Sequence, residues 1–335
     1  MKNLIAGAFC ALSVTLVAGT PTPSQAQDVT LNLATIMLPD DPFVAASKLF
    51  GERLDELSGG TMEVKIFDSG SLFPQGASFD ALSRGQVEMG DTNMGSYSQQ
   101  VPYTDMFLSA YMFEGPDHAR VFWESDLGQQ VFDDVAEGTN IRILGQIVYG
   151  SRQISLTGNV DRTINTPADL EGVKLRMPSP PAWMALGRAL GVDPTPLAFN
   201  EVYLAMQTGT VDGQDNTLTV SKAAGLIELT KQVVLTDHQA YAQFFGINED
   251  IWQGFTDEQR NWVQTALDEG IELGTKLAQE AEAALQQEYR DAGAQIVTPD
   301  KDAFIEHARA FYENSPELTA NWDRELIAKI NAMVD

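Results

Sequence analysis

Three residues able to grip an anion stand at the ends of apolar runs in the middle of the chain. Arg176 follows the run GVKL directly, Asn216 lies just beyond VDG, and Arg152 follows a run that ends at Tyr149. A guanidinium offers a planar fork of donors that can hold a carboxylate through two parallel bonds. If these runs are strands of an open α/β sheet, all three residues lie where such sheets bind ligands, outside the carboxyl ends of the strands. Converging, they would offer one anion two guanidinium groups and one neutral amide donor. A plainer reading competes with this one. An arginine at a strand end is more often paired with a surface carboxylate, and the chain has 47 acidic residues to supply such partners. Phe199 and Trp183, in the same stretch, suit a core as well as a cleft.

Other chemistry finds little support. His118, His238 and His307 are far apart and form no zinc-type pair. There is no G-x-S-x-G elbow, and the one cysteine, Cys10, lies in the first dozen residues. DGQDN, residues 212–216, lacks the alternating ligands and closing glutamate of a calcium loop. The glycines form neither a dinucleotide fingerprint nor a Walker loop. No enzyme, metal or cofactor is indicated.

The elements that must position the three residues read as alternating strands and helices. VTLNLAT, TMEVKIF and VEMG alternate as strands, with helical spacing between them, and the rhythm restarts after Gly145 with QIVYG and a polar turn. Thr166 and Pro167 open a short helix, Ser179 to Leu190 form another, and Asn200 caps EVYLAMQT. This predicts two α/β modules in series, each built on a parallel sheet. From Thr256 to Ala292 one helix is expected, opened by a Thr256/Gln259 capping box and closed at Gly293. Gly270 and Gly274 break any strict heptad, so this helix suits a spine along two lobes better than a coiled-coil arm. The tail from Asp302 reads as further amphipathic helix.

The 335 residues include 47 acidic and 21 basic side chains, a formal charge of −26, which argues against a nucleic-acid partner. With 44% hydrophobic and 20% charged residues and a mean hydropathy of −0.15, the chain is globular. Its length suggests about two domains. Residues 1–26 combine Lys2, an apolar run from Leu4 to Ala18 and small residues at Ser24 and Ala26, the pattern of a signal peptide cleaved after Ala26. Export without a remaining cysteine fits a bacterial periplasm and a fold held by its core alone.

The run from Gly172 to Asn216 resembles the solute-binding proteins of TRAP transporters, the DctP family. That pattern is a G-x-K-x-R strand (Gly172, Lys174, Arg176), a G-x-x-P-x-P turn (Gly191, Pro194, Pro196), an E-x-Y-x-A-x-Q-x-G helix (Glu201, Tyr203, Ala205, Gln207, Gly209) and a V-D-G-x-x-N strand (Val211, Asp212, Gly213, Asn216). SGSLFPQGASFDALSRGQVEMG, YGSRQIS and the long late helix extend the likeness over essentially the whole chain beyond the leader. The resemblance implies a type II-like, two-lobe periplasmic-binding-protein fold that closes on a small organic acid, with a hinge of crossing strands and one helix spanning both lobes. It places lobe I at 27–150 plus about 242–281 and lobe II at 151–241 plus about 282–335. It implies that Arg176 takes the carboxylate, supported by Asn216 and a second arginine, Arg152, with Phe199 beneath the ligand. Gln75 and Asn93 come from the first lobe, and Trp183 and Tyr241 are further ligand-binding candidates. The sialic-acid members carry acids where Gln75 and Asn93 stand and an asparagine at Ile36, and ectoine binders carry tryptophan at Lys174, which sets this sequence apart from both. The implied partners are the small and large TRAP membrane subunits, and the implied state is a monomer. A sulfonate in place of the carboxylate, or presentation of the ligand to a membrane sensor kinase, would use the same closure.

Overall fold

The computed structural model describes residues 29–333, so the leader lies outside the described residues. The opening elements follow the apolar spacing: β1 (Val29–Ala34), α1 (Pro42–Ser58), β2 (Met62–Phe67), α2 (Gln75–Ser83) and β3 (Met89–Thr92). Asp41 caps α1 by accepting from Phe43 N. β1 pairs in parallel with both β2 and β3.

The restart expected after Gly145 does not occur. Ile141–Leu156 is one 16-residue strand, β4, and the supposed polar turn lies inside it. The reason is its partner β8 (Gln232–Asn248), which pairs antiparallel with β4 from Ile141↔Asn248 to Leu156↔Gln232. Paired along most of its length, the polar stretch meets most of its backbone needs without solvent. Three register shifts, at Ile143/Gly145, Val148/Gly150 and Arg152/Ile154, bend the pair where the sequence reads as broken.

The remaining strands are β5 (Lys174–Met177), β6 (Asp193–Pro196), β7 (Gly213–Asn216) and β9 (Gln295–Val297). The nine strands form one mixed sheet rather than two parallel sheets in series, in the order β2-β1-β3-β8-β4-β7-β5-β6, with β9 also on β8. β4 and β8 cross from the half holding β1–β3 to the half holding β5–β7, which makes the two-lobed architecture.

Helices between the later strands are shorter than expected. α3 spans Pro181–Ala189 and α4 spans Val202–Gln207. Asn200 is not the cap of α4. It sits in a 3-10 turn, Phe199–Glu201, where Ala198 N donates to Glu201 Oε2 at 3.1 Å. Thr166 and Pro167 open a 3-10 turn rather than an α-helix.

The long helix α5 (Asp257–Asp291) has 35 residues, about 52 Å at 1.5 Å each. Its capping box is present, with Gln259 N donating to Thr256 Oγ1 at 3.2 Å and Thr256 N to Gln259 Oε1 at 2.9 Å. It packs on α1, β4, the 218–223 helix and β9, and so runs behind both halves. Gly270 and Gly274 permit that approach. A Cβ on Gly270 would lie 2.6 Å from Ala46 O, and one on Gly274 would lie 2.4 Å from Ile147 Cδ1. The tail is two helices, α6 (Lys301–Glu313) and α7 (Arg324–Asn331), joined by a non-helical stretch rather than one continuous run.

On α5, Glu282 faces Gly150 at the second register shift, and its Oε2 has no hydrogen-bond partner. Burial, aided by the charge of Asp237, pushes its carboxyl up to about 7. A carboxyl raised on folding binds its proton more tightly in the folded chain, so its contribution favours folding below that value and is lost as pH rises through about 7. The melting temperature is therefore expected to rise between pH 8 and pH 6. Glu282→Gln should exceed the parent at pH 8 and show a shallower slope, and parallel curves in a thermal-melt series would contradict this assignment.

Candidate functional site

All eight ligand-binding candidates line one cavity where the two halves meet, with about 30 Å³ of room for water centres. Gln75 comes from the first turn of α2 and Asn93 directly follows β3. Arg176 lies within β5, Asn216 is the last residue of β7, and Arg152 lies in the interior of β4. Trp183 is on α3, Phe199 is in the 3-10 turn, and Tyr241 is on β8. Ile36, Met37, Pro178, Val220 and Gln243 complete the lining. A larger cavity of about 530 Å³ lies between residues 109–112 and helices α6 and α7, and none of the eight reaches it. Convergent polar groups, rather than volume, single out the smaller one.

The two arginines are in different electrostatic situations. Arg152 is 2% exposed, and its Nε and Nη2 donate to Asp215 Oδ2 and to the Asp215 carbonyl, each at 2.7 Å. Its guanidinium carbon lies 4.6 Å from the Trp183 ring centre and 4.8 Å from that of Tyr241, a double cation–π arrangement. The ion-pair alternative weighed for a lone arginine is thus realised here, though inside the molecule rather than on its surface. Burial pushes the Asp215 carboxyl up, but the Arg152 charge and a hydrogen bond with His238 outweigh it and hold it well below the usual range. His238 is in turn fixed through Nδ1 and Thr236 Oγ1, 2.8 Å apart.

Arg176 is 1% exposed and has no carboxylate partner among the described residues. Nε donates to the Leu197 carbonyl at 2.9 Å and Nη2 to Gln75 Oε1 at 3.3 Å. Burial lowers its pKa to about 10, with Asp215 opposing the shift and Arg152 reinforcing it, so it stays charged at neutral pH. Gln75 Oε1 also accepts from Phe199 N at 2.8 Å. An amide oxygen from one half thereby occupies donors of the other, at a place suited to a carboxylate oxygen. The Phe199 ring centre lies 5.7 Å from the Arg176 guanidinium. Asn216 Oδ1 accepts from Thr217 N at 3.2 Å, leaving its amide NH₂ as the donor group.

The facing wall is organised by residues that the sequence does not announce. Tyr241 donates to Gln243 Oε1, Gln243 Nε2 donates to Asp91 Oδ2 at 2.7 Å, and Asp91 Oδ1 accepts from Ile36 N at 3.1 Å. Burial raises the Asp91 carboxyl to about 6, and Asp41, bonded by Tyr149 and Phe43 N, is raised to the same level. The available signal for Gln243 was spacing: Gln239, Tyr241 and Gln243 alternate along β8, so they share one face. Two lining side chains carry buried polar atoms without a partner, Asn93 Oδ1 and Trp183 Nε1.

The family model described as DctP, bacterial extracellular solute-binding protein, family 7, matches residues 33–317. The sialic acid-binding periplasmic protein SiaP of Vibrio cholerae is 29% identical over 86% of this chain and 88% of its own length. Among solved structures, a TRAP periplasmic solute-binding protein of Roseobacter denitrificans with bound 3-deoxy-D-manno-oct-2-ulosonic acid superposes with a TM-score of 0.86 at 32% identity, over 92% of this chain and all of the other. A second from the same species, with bound L-galactonate, gives 0.82 at 26% identity over 93% of this chain and all of the other.

Removing the carboxylate of Asp215 leaves Arg152 buried with only a carbonyl acceptor. Breaking such a pair typically costs about 3–5 kcal/mol. Asp215→Ala should lose stability of that order in urea unfolding at pH 7, and a loss below about 1 kcal/mol would show that the pair carries no such weight.

Proposed function

The chain belongs to the DctP family, bacterial extracellular solute-binding proteins of family 7, and on that footing we propose that it is the periplasmic receptor of a TRAP-type transporter, taking up a small organic anion and delivering it to the membrane subunits. The observation that carries this reading is Arg176, a cation enclosed between the two halves with no carboxylate in direct contact among the described residues. A guanidinium in that position is strongly stabilised by an incoming carboxylate, which brings both charge and paired acceptors. The relatives with bound acid sugars support the same class of ligand, and the relatives' role as receptors agrees with a non-enzymatic function.

In this mechanism the carboxylate displaces Gln75 Oε1 from Arg176 and engages the Asn216 amide, with Phe199 beneath it. Arg152, pinned by Asp215 and stacked between Trp183 and Tyr241, provides a second, already neutralised polar wall. Residues 29–150 with about 242–281 form the first lobe and 151–241 with about 282–313 the second, whereas α7, expected in the second, packs back on the first, with His118 Nε2 2.9 Å from the Ile330 carbonyl. β4 and β8 bend where they cross. Ligand shifts the open and closed populations only by its differential affinity for the two states. A micromolar dissociation constant corresponds to about −8.2 kcal/mol, and one charge-assisted hydrogen bond contributes about 1.5–3 kcal/mol, so several contacts from both lobes are required. The leader 1–26 directs export and is cleaved after Ala26, and the receptor works as a monomer.

Arg176→Ala is expected to weaken acid binding at least about 100-fold, two lost charged contacts at about 1.4 kcal/mol per tenfold, while the melting temperature without added acid changes little, because relief of the unpaired buried charge is offset by the cavity and lost hydrogen bonds left behind. Arg176→Lys should also bind poorly, because an ammonium cannot reproduce the fork. Near-normal affinity of Arg176→Ala in isothermal titration would overturn the carboxylate role.

A further inference from the structure

We propose that the site selects acids with a single negative charge and a neutral hydroxyl group, and rejects the matching diacids. This rests on the receptor reading above and narrows its ligand. The first argument is charge. Of the two cations lining the cavity, Arg152 is already balanced by Asp215 at 2.7 Å, and only Arg176 is unpaired. One anionic group satisfies it.

The wall facing Arg176 offers no cation to a second carboxylate. Ile36, Met37, Gln75, Asn93 and Gln243 are all uncharged. Gln243 has its carbonyl taken by Tyr241 and its amide engaged by Asp91. Behind this wall stands Asp91, bonded to the lining residue Gln243, so an added negative charge would meet a like one rather than a partner. A like charge brought into a poorly solvated site is strongly disfavoured.

The second argument comes from the unpartnered atoms. Asn93 Oδ1 is an acceptor without a donor, and Trp183 Nε1 is a donor without an acceptor. Both belong to side chains that line the cavity. A hydroxyl is donor and acceptor at once and can answer either atom, whereas an ionised carboxylate can only accept and leaves the Asn93 oxygen without a donor. Sites that leave buried polar groups unpaired discriminate strongly against ligands lacking the complementary group.

The test is isothermal titration of the purified exported chain, at pH 7.5 and up to millimolar ligand, with matched pairs: D-gluconate against D-glucarate, D-erythronate against tartrate, and butyrate as an acid without hydroxyls. The monoacid of a pair should bind at least about 100-fold more tightly than its diacid, equivalent to one unpaired charge. Asn93→Leu should reduce affinity for the hydroxy acid about tenfold more than that for butyrate, the loss of one hydrogen bond. Diacids binding as tightly as their monoacids, or Asn93→Leu weakening both acids equally, would overturn the inference and leave the receptor reading standing. No binding by any acid in the series would overturn the receptor reading, and this inference with it.

Discussion

A guanidinium removed from water without a carboxylate partner is expensive, by several kcal/mol even after local relaxation. Arg176 is held in that condition at 1% exposure, with one backbone carbonyl and one amide oxygen as its acceptors. Such a group is poor material for stability. It is well suited to capture, since the free energy withheld from the folded chain is released when an anion arrives. The contrast with Arg152 sharpens the point. That residue is equally buried, but its charge is balanced by Asp215, and its side chain lines the same cavity.

The rest of the architecture serves this placement. Arg176 and Asn216 lie on short strands of one half, Gln75 and Asn93 lie at the edge of the other, and only β4 and β8 join the two sheets into one. The register shifts along β4 and β8 supply curvature in the segment that also carries Arg152 and faces Tyr241. Behind it, α5 ties both halves together through glycines that let its backbone approach α1 and β4. The hydrogen bonds of Gln75 to Arg176 and Phe199 join the two halves directly: one amide oxygen accepts from donors on the opposite side.

Much of this is legible in the amino-acid order. The α/β rhythm, the capping box of α5, the strand bearing Arg176 and the motif from Gly172 to Asn216 are all local patterns. What was misread depends on pairing across distance. The stretch around Arg152 looks like a turn because its residues are polar, and only the long ladder with β8 makes it a strand. Asp215 gives no local sign that it will neutralise Arg152, since the two are brought together by β4 pairing with β7. Gln243 likewise acquires meaning only from Tyr241 and Asp91. Gly270 and Gly274, which look like interruptions of a helix, are the positions where it touches its neighbours most closely.

The most direct test is a crystal structure of the chain with a bound hydroxy acid. The account predicts both carboxylate oxygens within about 3 Å of the Arg176 guanidinium, Gln75 displaced from it, and Arg152 still joined to Asp215. A ligand lodged in the cavity beside α6 and α7, with Arg176 still held by Leu197 and Gln75, would contradict it.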